Sequence, residues 1–208
     1  MNVRMEQLGK LVEDISPGWP SARRADRQEG FESVLLSPRD IKNDGSVAPE
    51  DAQPQRFPAA AERCQVKPGD IVVQSRGASG PFRAGIITGP LHGSVISSNL
   101  VRIRLRPQEH PEVLLAFLLS DPGQEQFRRR AVGATATRAL TVDALASLEV
   151  PVPDQRTQKQ ITELWRATQR SAAEAHAAAD ERRAFGVALV ERLLIGAPLP
   201  PFSLGARE

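Results

Sequence analysis

From Asp154 to Ile195 the chain contains no proline and one glycine, Gly186, although 17 prolines and 15 glycines occur among its 208 residues. Forty-two residues without a breaker predict one long helix. Apolar or small residues recur at Ile161, Leu164, Thr168, Ala172, Ala175, Ala179, Phe185 and Leu189, with Trp165 beside Leu164. That is close to the alternating three and four spacing of a coiled-coil seam, with slips near Arg182 and Gly186. The segment "HAAAD" puts small side chains at the middle of the seam, where a partner helix could approach closely. Such a helix, about 38 residues and about 57 Å long, cannot bury its own apolar stripe. It either folds back on the rest of the chain or pairs with another helix. A domain of about 150 residues is only roughly 30 Å across, so the length favours a second helix as partner.

The helix start has two possible caps. Thr157 with Gln160 three residues on matches a capping box, and Asp154 could cap one turn earlier. Immediately before it, Pro151 and Pro153 end a strand-like run, "SLEVPV".

Upstream, short branched-residue runs alternate with turn formers. Strands are expected over 33–37, 70–75, 84–88, 94–97, 100–106 and 147–152, and helices over 111–121, 121–131 and 141–148, the last with Thr141 as N-cap. The expected fold class is therefore α+β, with residues 1–153 as a mixed domain, 154–196 as the helix and 197–208 as a tail. An apolar fraction of 40% and a charged fraction of 25% suit a folded protein. The absence of a long apolar run excludes a transmembrane helix, and "MNVRMEQLGKLVEDI" lacks a signal-peptide core, so a cytoplasmic location is expected. A single cysteine, Cys64, excludes an internal disulfide.

Charge is unevenly placed. Residues 1–62 hold 8 Lys/Arg against 11 Asp/Glu (net −3), whereas residues 63–138 hold 11 against 5 (net +6). Arginine supplies 23 of the 27 basic side chains; its planar fork suits bidentate phosphate or guanine contacts, although a GC-rich genome produces the same bias.

The familiar catalytic constellations are missing: no GxxxxGK[ST], no GxGxxG after a strand, no G-x-S-x-G. His92, His110 and His176 are scattered, so no metal site or cofactor is expected. Cys64 has no identifiable base beside it, and Asp70 in "KPGD" reads as a turn residue.

What remains is arginine. In "VRIRLRP" Arg102, Arg104 and Arg106 alternate with Val101, Ile103 and Leu105, which predicts a half-buried strand with a cationic outer face, or one paired with acids of a neighbouring strand. "FRRRAVGATATRA" carries Arg128, Arg129, Arg130, Thr137 and Arg138, and "QSRGASGPFRAG" carries Arg76, Ser79 and Arg83. Loops of small residues let backbone and arginine approach phosphates and base edges closely. These ten residues, Arg102 and Arg104 included, are the candidate DNA contacts.

The order "VKPGDIVVQSRG", "SSNLVRIRLRP", then "PEVLLAFLLSDPGQEQFRRRAVGATATRALTVDALASLEVPVPDQRTQKQI" resembles one target recognition domain and its following spacer helix in the specificity subunits of type I restriction-modification systems. The matching positions are Gly69, Asp70, Leu118, Leu119, Ser120, Gly133, Leu140, Leu145, Pro151, Pro153, Gln158 and Ile161. Thr157-Gln158 stands where the family pattern has Glu-Gln, and the chain resembles half a subunit, one recognition domain and one helix where the family has two of each. The resemblance implies a non-catalytic reader of double-stranded DNA that directs a separate adenine methyltransferase, and in restriction complexes a motor-nuclease, to its target. The family's two spacer helices pack antiparallel, so a half-length chain is expected to form a homodimer, with no membrane role. The competing reading is a protein-interaction adaptor of a phage-defence complex without its own sequence-specific DNA binding.

Overall fold

The computed structural model describes residues 3–20, 30–49, 53–76, 81–133 and 138–195. Their strands are β1 (Val3–Gln7), β2 (Val12–Pro17), β3 (Phe31–Ser33), β4 (Leu35–Leu36), β5 (Gln55–Phe57), β6 (Ile71–Gln74), β7 (Ala84–Ile86), β8 (Val95–Ile96), β9 (Leu100–Leu105) and β10 (Glu149–Pro153). The helices are α1 (Leu8–Leu11), α2 (Pro111–Leu119), α3 (Asp121–Arg130), α4 (Val142–Ala146) and α5 (Gln155–Leu194). The protein is thus a mixed helix and sheet fold ending in one long helix, and its contacts divide it into two compact units after Trp165.

The first unit is organised by an antiparallel sheet of order β2-β9-β6-β7. Its two central strands are covered on both faces. Strand alternation sends Ile71 and Val73 of β6 and Val101 and Ile103 of β9 into one core, shared with Leu114, Leu115 and Leu118 of α2 and Phe127 of α3. Val72 and Leu100 point the other way, into a second core with Leu36, Ile41 and Ile96. A third cluster gathers Trp19, Phe57, Ala61, Cys64 and Val95, with Phe31 stacked on Phe57 at 5.9 Å. Cys64 is therefore a core residue, and burial pushes its thiol pKa up.

Turn chemistry closes these elements. In "KPGD" the Asp70 carboxylate accepts from the Lys67 N–H at 2.8 Å while Gly69 adopts φ +89, a conformation glycine takes without strain. Thr141 caps α4, its hydroxyl accepting from the Ala144 N–H at 3.1 Å.

Among the described residues β10 pairs with β1 alone, antiparallel, with Met5 opposite Pro151 and Val3 opposite Pro153. The Leu148 carbonyl accepts from the Leu8 N–H, while both backbone groups of Glu149 are bound by the Gln126 side chain. Residues 149, 151 and 153 thus turn their backbone groups away from β1. The two prolines occupy positions where no ladder donor is needed, so the strand tolerates both.

The helix α5 starts on Asp154, whose carboxylate accepts from the Thr157 N–H at 2.9 Å; the earlier of the two expected caps is the one used. Gln158 and Thr162 are buried; Gln158 donates to the Pro153 carbonyl at 2.8 Å, and the Thr162 hydroxyl lies 3.3 Å from His110 Nδ1. Trp165, expected on the coiled-coil seam, instead packs on the first unit's core and against Gly45. It lies on the same side of the helix as Gln158 and Thr162, about 100° from Leu164 at 100° per residue. No described helix is long and apolar enough to cross a membrane.

Candidate nucleic-acid interface

Two loops carry Arg76, Arg83 and Arg138, and backbone pairing joins them. The hairpin after β6 is closed by the Gln74 N–H, which donates to the Arg83 carbonyl at 2.8 Å. The loop after α3 is closed by Val132 and Ala139, which exchange bonds of 2.9 and 2.8 Å. Ala139 also bridges to Arg76, and the Leu140 N–H donates to the Ser75 carbonyl at 2.8 Å. One residue therefore stands between the two loop mouths, with Arg76 opposite it and Arg138 next to it in sequence. Arg76 is exposed, Arg138 is half-buried, and neither has an acidic partner among the described residues.

Gln124 secures the same arrangement from beneath. Its buried amide accepts from the Phe82 N–H at 2.9 Å and donates to the carbonyls of Phe82 (3.0 Å) and Leu118 (2.8 Å). Phe82 also meets Phe127 with ring centroids 5.5 Å apart. The hairpin after β6 is thereby tied to α3 by a satisfied polar group that water cannot reach. The sequence reading missed Gln124, although its spacing from Ser120 and Phe127 places it on the inward side of α3, where a polar residue is unusual.

The other candidates are differently placed. Arg128 and Arg129, on the last turn of α3, both bind Glu125, at 2.7 and 2.8 Å, and these bonds hold the Glu125 pKa below its ordinary value. Arg130 reaches the Ser147 hydroxyl and carbonyl at the end of α4. Arg83 donates to the Pro38 and Ile41 carbonyls at 3.2 and 3.1 Å, bracing its hairpin. Ser79 and Thr137 lie outside the described residues.

Arg102 and Arg104 correct the expectation of an open cationic strand face. Arg102 is 6% exposed; it pairs with Asp14 on β2 and donates to the Arg63 and Gln65 carbonyls. Arg104 makes a bidentate pair with Asp70, at 2.8 and 2.7 Å, which raises its pKa. Burial pushes the Asp14 pKa up, but hydrogen bonds from Arg102 and Ser16 and the nearby guanidinium charges hold it below the ordinary 3.8 on balance. The cause is topology: β9 is a central strand, so its second face is an interior, and an arginine there needs an acid. The acid-paired alternative is the one realised.

Among the described residues no three His, Cys, Asp or Glu side chains are grouped to hold a metal ion. The arrangement offers instead a pair of joined, arginine-bearing loops on a rigid base, which suits contact with a polyanion.

No family model and no curated protein matches the sequence. Solved structures match the fold, among them three that cover almost the whole chain. The HsdS subunit from Thermoanaerobacter tengcongensis has a TM-score of 0.57 at 18% identity, covering 96% of this chain and 52% of that one. A structure described as the structural basis of complex assembly and conformational transition of the type I R-M system has a TM-score of 0.59 at 15% identity, covering 98% and 52%. The type I restriction-modification S subunit from M. genitalium has a TM-score of 0.61 at 12% identity, covering 93% and 46%. The chain spans about half the length of each. The likeness is one of fold: a mixed domain followed by a long helix, as in S subunits.

Proposed function

We propose that this protein is a non-catalytic, half-length specificity protein of a type I restriction-modification system. It reads a DNA half-site with the first unit and directs a separate adenine methyltransferase, and in a restriction complex a motor-nuclease, to that site. The single observation that carries the reading is the fold match to S subunits across at least 93% of this chain. The joined loops at Arg76, Ala139 and Arg138 supply the chemistry the reading needs, because phosphate contacts set affinity and arginine on a base edge sets sequence.

Two copies joined through α5 would supply the second half that the fold neighbours carry in one chain, and a two-fold dimer reads inverted half-sites. Selection of bound duplexes from a random pool tests the reading directly. An enriched inverted repeat, with affinity falling steeply as salt rises, is the expected result. A chain that binds no duplex at low salt yet captures a methyltransferase would instead be an adaptor, a reading favoured by the internal pairing of Arg102, Arg104, Arg128 and Arg129.

A further inference from the structure

We infer that β1 is a docking edge for β1 of a second copy, the two strands pairing antiparallel about a two-fold axis at Met5. The contact uses no residue of α5 and stands apart from a pairing through that helix. A chain that makes both contacts assembles beyond the dimer.

The two edges of the sheet formed by β1 and β10 are finished differently. On the β10 side Gln126 binds both backbone groups of Glu149, Pro151 and Pro153 have no N–H to offer, and Gln158 donates to the Pro153 carbonyl at 2.8 Å. Prolines and covering side chains close a strand to newcomers. On the β1 side the edge is open. The bond from the Leu8 N–H to the Leu148 carbonyl fixes the parity of the ladder: Arg4 and Glu6 bond Val152 and Val150, and Val3, Met5 and Gln7 turn their backbone groups outward. Those of Val3 and Met5 meet no hydrogen-bond partner among the described residues, and the two side chains are 46% and 55% exposed. A two-stranded sheet is marginal by itself, and a second copy on this edge makes it four-stranded.

The strand, "VRMEQ", is complementary to its own reverse. With Met5 opposite Met5 of the second copy, Val3 meets Gln7 and Arg4 meets Glu6, each pair twice over by symmetry. The outward-turned residues 3, 5 and 7 then form the hydrogen-bonded pairs. Arg4 and Glu6 fall in the closer, non-hydrogen-bonded positions where side chains touch. The neighbouring registers of the same parity set Arg4 opposite Arg4 or Glu6 opposite Glu6, so charge selects the central one. Within one chain Glu6 meets Arg4 at 4.0 Å and Lys10 at 3.6 Å, longer than direct hydrogen bonds, which leaves its carboxylate able to take the second copy's guanidinium.

The test is cysteine cross-linking of the full chain, with the parent as control because its Cys64 is buried. Met5→Cys sets two Cα atoms about 5.5 Å apart in this register, inside the disulfide range, and should give a covalent dimer under mild oxidation. Val3→Cys, displaced from its own copy by about 14 Å along the strand, should not. Adding Arg4→Glu or Glu6→Arg to Met5→Cys sets like charges opposite and should lower the yield roughly tenfold, whereas mixing the two reversed chains should restore it. No link for Met5→Cys above the parent chain at tens of micromolar overturns the proposal. So does an equal link for Val3→Cys, a yield that ignores the reversals, or a mixture that links no better than its parts.

Discussion

Arg102 and Arg76 belong to neighbouring strands of one sheet, or continue one, yet they meet opposite environments. At the β9 position the guanidinium is sealed against Asp14 and two carbonyls; just past β6 it is exposed, with no acidic partner among the described residues. The same contrast separates Arg104, locked to Asp70, from Arg138 at the loop mouth. A basic stretch is therefore two things at once: internal charge that holds the head together, and surface charge free to meet a polyanion. Cationic density along the chain says nothing about which is which, because pairing is set by the strands that come to lie alongside.

The largest effect that can break this contrast is expected at the internal end. Replacing Asp70 by Ala strands Arg104 and the Lys67 N–H, and should cost about 3 kcal/mol or more in urea unfolding. A loss under about 1 kcal/mol would mean the pair is not structural. Next, Gln124→Leu leaves the Phe82 backbone and the Leu118 carbonyl unsatisfied in the core, at about 2 kcal/mol, and should weaken duplex binding through the displaced hairpin. At the surface end, Arg138→Ala or Arg76→Ala should leave the unfolding midpoint unchanged and cost about 1–3 kcal/mol of duplex affinity. Unchanged affinity in both, and in an Arg128, Arg129 and Arg130 triple alanine variant, removes this surface from the proposal. Glu125→Gln sharpens the same point in the opposite direction: it releases two arginines and should raise affinity a few-fold at low salt.

The smallest effect is in acid. Because the folded pKa of Asp14 lies below its ordinary 3.8, the pair stabilises the fold above that pH and is lost as pH falls through the lower folded value. Asp14→Asn should flatten that part of the acid-unfolding limb. An identical limb in the variant would show that Asp14 is not the group titrating.

Much of this architecture is legible in the residues alone. Branched runs bounded by Gly and Pro mark β6, β7, β8, β9 and β10, and Pro111, Asp121 and Thr141 mark three helix starts, because local sterics and caps decide those elements. The first β-strands of the chain, Val3–Gln7 and Val12–Pro17, carry no comparable pattern and are strands by virtue of their partners β10 and β9. Trp165 shows a similar limit: periodicity puts it beside the seam, and only the fold brings Gly45, which has no side chain, up to its ring.

The sequence by itself determined that the chain would be a mixed head followed by a long helix. It also placed the end of the last strand and the start of the helix around Asp154, and the net positive charge in the middle of the chain, since propensity, breakers and composition are local properties. Which arginines are buried ions and which are exposed, and that two loops some sixty residues apart meet at Ala139, only the tertiary structure decided. Burial and pairing depend on residues distant in the chain, and no local pattern carries that information.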